Sequence, residues 1–252
     1  MVINPNALGL DLPPGTPRVQ PSLWYADEPA TPGTWARLLP AQDATGMRPV
    51  LLGEVETLFL HPSQVGDPDD HDPAAVLAGL WAESAEEEDP EALAPFSRAW
   101  PGLAPPTGPV TGAGAGRKDT GPEEAAARLA AELAGSEDWL KGVRGALVPA
   151  RRGADIPAAL GWGGAANHTD AARISAVLRS WEDRFGARLV GLGPDLLTVS
   201  VAAPPRTLAD AVAVAAEHYA FCPDNVWDGF DSLSDYAAEE VLDRPDWSFW
   251  WD

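Results

Sequence analysis

Few residues in this chain have the type and spacing to do chemistry. His218 and Cys222 stand four apart at the end of a helical segment, which sets them on one face. A thiol beside an imidazole can become a thiolate nucleophile, with the imidazole taking its proton. The competing reading is a packed histidine and a buried, inert thiol, because cysteine is among the most buried residue types. Just downstream, Asp224, Asn225, Asp228 and Asp231 crowd one loop and offer oxygen ligands to a hard cation. Their spacing does not fit a calcium loop, and Asp and Asn are ordinary turn formers. Asp67, Asp69, Asp70, His71 and Asp72 form a second oxygen-rich stretch, read as a solvated loop. Arg151 and Arg152 precede the Gly-rich Gly161-Trp162-Gly163-Gly164 and could receive a carboxylate or phosphate. The alternative there is an internal ion pair with Glu182 or with a carboxylate of the chain's tail. Asn167-His168 is expected to cap the helix that follows. With Trp162, Trp227 and Trp250, the binding candidates are Arg151, Arg152, Trp162, Asp224, Asn225, Trp227 and Trp250. No His-Glu-x-x-His, Gly-x-Ser-x-Gly, zinc-ligand or phosphate-loop pattern occurs, so no cofactor and no metal is expected.

These groups must be positioned by a core, and 252 residues with 45% hydrophobic side chains and 11 Trp can build one. The formal charge of −21 disfavours nucleic acid and anionic membranes, which are bound through clustered Lys and Arg. It favours a basic protein partner, or it serves solubility alone. No run is apolar enough for a membrane span, and the start lacks the basic and apolar regions of a signal peptide. A single cysteine excludes an intrachain disulfide, so a cytoplasmic protein is expected. Only two of the 17 basic residues are lysines, and with the abundant Ala, Gly and Pro this composition matches a GC-rich bacterial genome.

Residues 1–19 read as an extended arm with four prolines, and 20–100 as a smaller α/β region. Strands are expected over 20–26, 48–52 and 56–60, a short helix over 34–39, and an Asp72-capped helix to about Glu83. Residues 101–120 are rich in Pro and Gly and read as a linker. From 121 onward the pattern is regular. Thr120-Gly-Pro-Glu123 is a capping box. Residues 145–149 form a short strand. Ile174, Val177, Leu178, Trp181 and Phe185 make one helical stripe, stopped by Gly186. Two strands follow, 187–192 and 196–202. Thr207 caps a helix with Leu208, Val212, Ala215 and Tyr219 inward, and Ser232 starts another short one. The chain ends on Asp246-Trp-Ser-Phe-Trp-Trp-Asp252, whose alternation puts Trp247, Phe249 and Trp251 on one face of a strand and Ser248 and Trp250 on the other. The expected fold is α+β. Its C-terminal part, 121–252, is a ferredoxin-like β-α-β-β-α-β sandwich with an extra short helix, preceded by the smaller α/β N-terminal region.

The segments Trp181 to Gly193 (WEDRFGARLVGLG), Ala202 to Gly229 (AAPPRTLADAVAVAAEHYAFCPDNVWDG) and the terminal WSFWWD resemble an uncharacterised bacterial family, domain of unknown function 4253. The resemblance covers roughly the last 110 residues; Trp24 to Leu52 looks like the N-terminal part of longer relatives. It implies a shared fold and carries no known reaction. Three functions are weighed, the first as the leading reading and the others as its alternatives. One is a non-catalytic interaction protein, for example an acidic immunity-like partner of a basic toxin. Another is an enzyme with a site between the two regions around Arg151, His218, Cys222 and Asp224. The third is a small-ligand sensor with an aromatic pocket.

Overall fold

The structure, a computed structural model, describes residues 5–56, 58, 66–86, 91–107, 121–136, 142–227 and 229–252. It is a mixed α+β fold built on one seven-stranded sheet. The strands are β1 (Gly15–Arg18), β2 (Leu23–Ala26), β3 (Met47–Leu52), β4 (Arg144–Pro149), β5 (Ala187–Leu192), β6 (Leu196–Val201) and β7 (Asp246–Trp250). Their order across the sheet is β1-β2-β4-β3-β5-β6-β7. Among the described residues only β3 and β5 pair in parallel, and the other pairs are antiparallel.

This order corrects the ferredoxin-like expectation. The β-α-β-β-α-β succession is present from β4 onward, but a ferredoxin-like sheet would place β4 between β7 and β6. Here β3 enters between β4 and β5, and β7 lies at the far edge, paired with β6. Strands from both sides of the 101–120 segment therefore share one sheet. The composition of β3 explains its place. Val50, Leu51 and Leu52 are all fully buried, because helices cover both faces of the sheet there. A strand buried on both sides reads as a continuous apolar run rather than an alternation.

One helical layer consists of α1 (Thr34–Thr45) and α3 (Pro122–Gly135). Trp35, Ala126, Leu129 and Ala130 pack there against Leu51 and Val190, and Leu38 and Ala41 against Trp24, Met47 and Leu147. The opposite layer holds α2 (Pro73–Ala85), α4 (Ile156–Leu160), α5 (Ala171–Phe185) and α6 (Leu208–Phe221) over the main core. Trp181 sits at its centre, with ring centroids 4.8 Å from Phe221, 5.3 Å from Phe249 and 5.6 Å from Trp247. Three short pieces, α7 (Asp224–Trp227), α8 (Leu233–Tyr236) and a π turn (Ala237–Val241), lead from α6 toward β7.

Many local expectations hold. Asp72 caps α2 by accepting from the Ala74 N–H at 2.9 Å. Gly186 closes α5 at φ 62°, a left-handed conformation that costs glycine nothing. Thr207 and Ser232 cap as expected, each accepting from the N–H three residues on. Several expectations need correction. The arm contains β1, which pairs with β2. Helix α1 runs on to Thr45, with Pro40 inside it. Glu56 and Leu58 lie in no strand, and the rest of the expected 56–60 strand is outside the described residues, as is Thr120. Leu208, the first residue of α6, is 49% exposed rather than inward. The cap of α5 is Asp170, which accepts from Ala172 and Arg173, not Asn167-His168. Asn167 donates instead to the Asp252 carbonyl, and His168 Nε2 pairs with the Ala220 carbonyl at 2.9 Å.

The start of the expected linker is fastened to the core. Ala104 is buried; its N–H donates to Glu217 Oε1 at 2.7 Å and its carbonyl accepts from Arg184 at 2.8 Å. Residues 108–120 are outside the described residues.

Candidate functional site

His218 is fully buried on the inner face of α6, with its ring centroid 4.5 Å from Trp247 and 4.9 Å from Phe249. Nδ1 lies 3.1 Å from the Tyr236 hydroxyl, while Nε2 is buried with no hydrogen-bond partner among the described residues. Such a site cannot solvate an imidazolium, and burial drives the pKa down to about 3. The ring is neutral at physiological pH.

Cys222 ends α6, its N–H bonded to the His218 carbonyl at 2.7 Å. The thiol is buried. It donates to the Trp250 carbonyl at 2.9 Å, and Asn225 Oδ1 lies 3.4 Å away. Burial pushes its pKa well above the usual thiol range, and nearby Asp224 adds to the rise. The two groups of the proposed dyad thus direct their hydrogen bonds to different partners. Both are shielded from solvent and both are held in their neutral forms.

What this cluster does instead is complete an edge. Asn225 Nδ2 donates to the Ser248 carbonyl at 2.6 Å, and Asn225 Oδ1 accepts from the Trp250 N–H at 3.1 Å. Asp224 Oδ2 accepts from the Asp252 N–H at 3.2 Å. Side chains of Cys222 and Asn225 therefore occupy backbone groups of β7 that a further strand would otherwise take, and Asp224 does the same just past its end. Pro223 and the short helix α7 hold them at that edge. The WSFWWD segment and the CPDN segment are two halves of one contact.

Residues 144–252 match the domain of unknown function 4253. That span opens at β4 and takes in both halves of the contact. No curated protein and no solved structure matches the chain. The matched span thus contributes four of the seven strands, while β1, β2 and β3 precede it.

Some of the remaining candidates line one of two clefts. Arg151 and Arg152 line one of about 370 Å³, with Trp35, Arg48, Glu123 and Arg188. Its cations are taken. Arg151 reaches Asp67 at 2.8 Å and Asp69 at 2.6 Å. Arg152 pairs with Glu182 at 2.6 Å and Asp183 at 2.5 Å, the internal ion pair that the sequence offered as the alternative. Arg188 pairs with Glu123 at 2.8 Å, and Arg48 donates to the Arg151 carbonyl at 2.6 Å. Asp69 also meets Arg179, so the 67–72 stretch anchors arginines. Among the described residues no group of three or more His, Cys, Asp or Glu is arranged to hold a metal ion, and Asp228 lies outside them.

The second cleft, about 300 Å³, lies along β7 and is lined by Asn225, Phe230, Tyr236, Glu240, Asp246 and Trp250, among others. Trp250 is 37% exposed there, on the strand face that α5 and α6 do not cover. Trp162 lines neither cleft. It is buried, donates to the Gly193 carbonyl at 2.9 Å and meets the Trp251 ring. A Cβ on Gly164 would fall 2.1 Å from the Trp162 ring, so this glycine exists to let the indole through. Trp227 packs on Tyr219 and also lines neither.

A heavily bonded buried acid stands outside the candidates that the sequence offers. Glu217, fully buried, accepts from Arg184 at 2.7 and 2.6 Å, from Trp181 Nε1 at 2.8 Å and from the Ala104 N–H. The signal was present: one acid within the apolar run Ala211–Phe221 demands a buried counterion.

Proposed function

We propose that the protein is a non-catalytic binding protein whose partner is a basic protein, of the kind an acidic immunity-like protein would neutralise. The chief support is the state of its two reactive groups. A nucleophilic cysteine needs an accessible, low-pKa thiolate. Cys222 is buried, protonated and bonded to a strand edge, and the neutral His218 faces aromatic rings. The charge of −21 supplies the attraction, since it steers cations and repels nucleic acid and anionic lipid. The cytoplasm is the compartment this reading assigns, because nothing in the single-cysteine composition calls for an oxidising one. Affinity capture from the native host tests it. A basic protein should be retained at low salt and released as ionic strength rises, as expected for charge-steered association. Failure to retain any basic protein at low salt would remove the reading.

A further inference from the structure

The cleft along β7 combines two features that favour the same ligand. Its walls are aromatic: Trp250 from the strand, and Phe230 and Tyr236, whose rings meet edge to face at 5.3 Å. Its acids are Glu240 on the π turn and Asp246 at the start of β7. Among the described residues Arg244 is the one cation in the lining, and it is paired with Glu240. Its Nε donates to the Glu239 carbonyl at 2.6 Å, and its guanidinium lies 3.5 Å from Glu240. Asp246 is half-buried and forms no ion pair among the described residues. Burial raises its pKa, Glu132 raises it further, Arg244 offsets part of the rise, and Glu240 adds to it. The carboxylate thus sits in a field that a bound cation would relieve. Asp231, Asp235, Glu239 and Asp243, on the segment that leads into β7, are exposed.

Aromatic faces attract cations through their quadrupoles, and a half-buried carboxylate strengthens that attraction. The geometry points to this cleft as the receptor for an arginine or lysine side chain of the basic partner, seated against Trp250 and between Glu240 and Asp246. This assignment rests on the binding reading above and gives it a place.

The test is an NMR titration of the full chain with acetyl-Gly-Arg-Gly-amide, its lysine counterpart and its neutral citrulline counterpart. The Trp250 indole resonance is identified by its loss in Trp250→Phe. Both charged peptides should shift that resonance saturably, and the citrulline peptide should not. Trp250→Ala, followed through the Ser248 amide, should weaken binding by about tenfold. Glu240→Gln with Asp246→Asn should abolish it. Unchanged melting of the variants shows that they fold. Shifts spread over the whole acidic surface without saturation overturn the site. A captured basic protein that binds these variants as tightly as the parent also overturns the site, while leaving the binding reading intact. If arginine amide binds as tightly as the peptide and no basic protein is captured, the occupant is a small cation and the docking assignment falls.

Discussion

Cys222 and His218 show how spacing misleads at the scale of single residues. Residues at i and i+4 share a helix face, yet the face here is an interior one, and its neighbours are rings and strand carbonyls. Two measurements follow. In the native protein Cys222 should not react with a thiol reagent at neutral pH, and denaturant should make it react at once; rapid native labelling would reopen the nucleophile reading. The histidine gives a pH dependence with a definite sign. Its pKa is about 3 when folded and ordinarily about 6.5, so below 6.5 the unfolded chain binds a proton that the folded chain refuses. Stability from this group is full above 6.5 and is lost as pH falls toward 3, at up to ~1.4 kcal/mol per pH unit. Urea unfolding of the parent and of His218→Gln at pH 7, 6 and 5 should give a shallower slope for the variant. Parallel curves would show that the ring is solvated.

At the scale of elements, α5 and α6 are tied together by Glu217, Arg184 and Trp181, with Ala104 bound to the same carboxylate. Glu217→Ala would strand a mostly buried guanidinium and should cost about 3–5 kcal/mol, measured as a loss in unfolding free energy. A cost near zero would mean that Arg184 reaches water. The same elements show what the sequence can convey. The stripe on α5 was legible because five large apolar residues recur at helical offsets. The last strand was legible because its aromatic residues alternate, and Trp247, Phe249 and Trp251 are buried as that alternation requires. The sheet order was not legible. Strand pairing leaves no local mark, and the apolar run in β3 is equally compatible with several partners. The edge contact of Cys222 and Asn225 was hidden for a related reason: its partners are backbone groups, which carry no residue identity. Glu217 was legible and overlooked.

For the whole molecule, β3 is the decisive strand. It stands between β4 and β5, so residues 144–252 lack a central strand of this sheet without the residues that precede them. A fragment of residues 121–252 should therefore not melt cooperatively; a sharp transition would show that the sheet closes without β3. Removing residues 247–252 takes three buried rings from the main core and the partner of the CPDN segment. Loss of cooperative melting is expected there too, and unchanged melting would make the tail an appendage. The place of β3 also bears on the speed of folding. Met47 must find Pro149, and Leu52 must find both Arg144 and Leu192, across long loops of intervening chain. Closing such loops costs entropy before any contact rewards it, which slows collapse to the native sheet. During that interval Val50, Leu51 and Leu52 are an unpaired apolar strand, and early refolding at high concentration is when this protein is most exposed to aggregation.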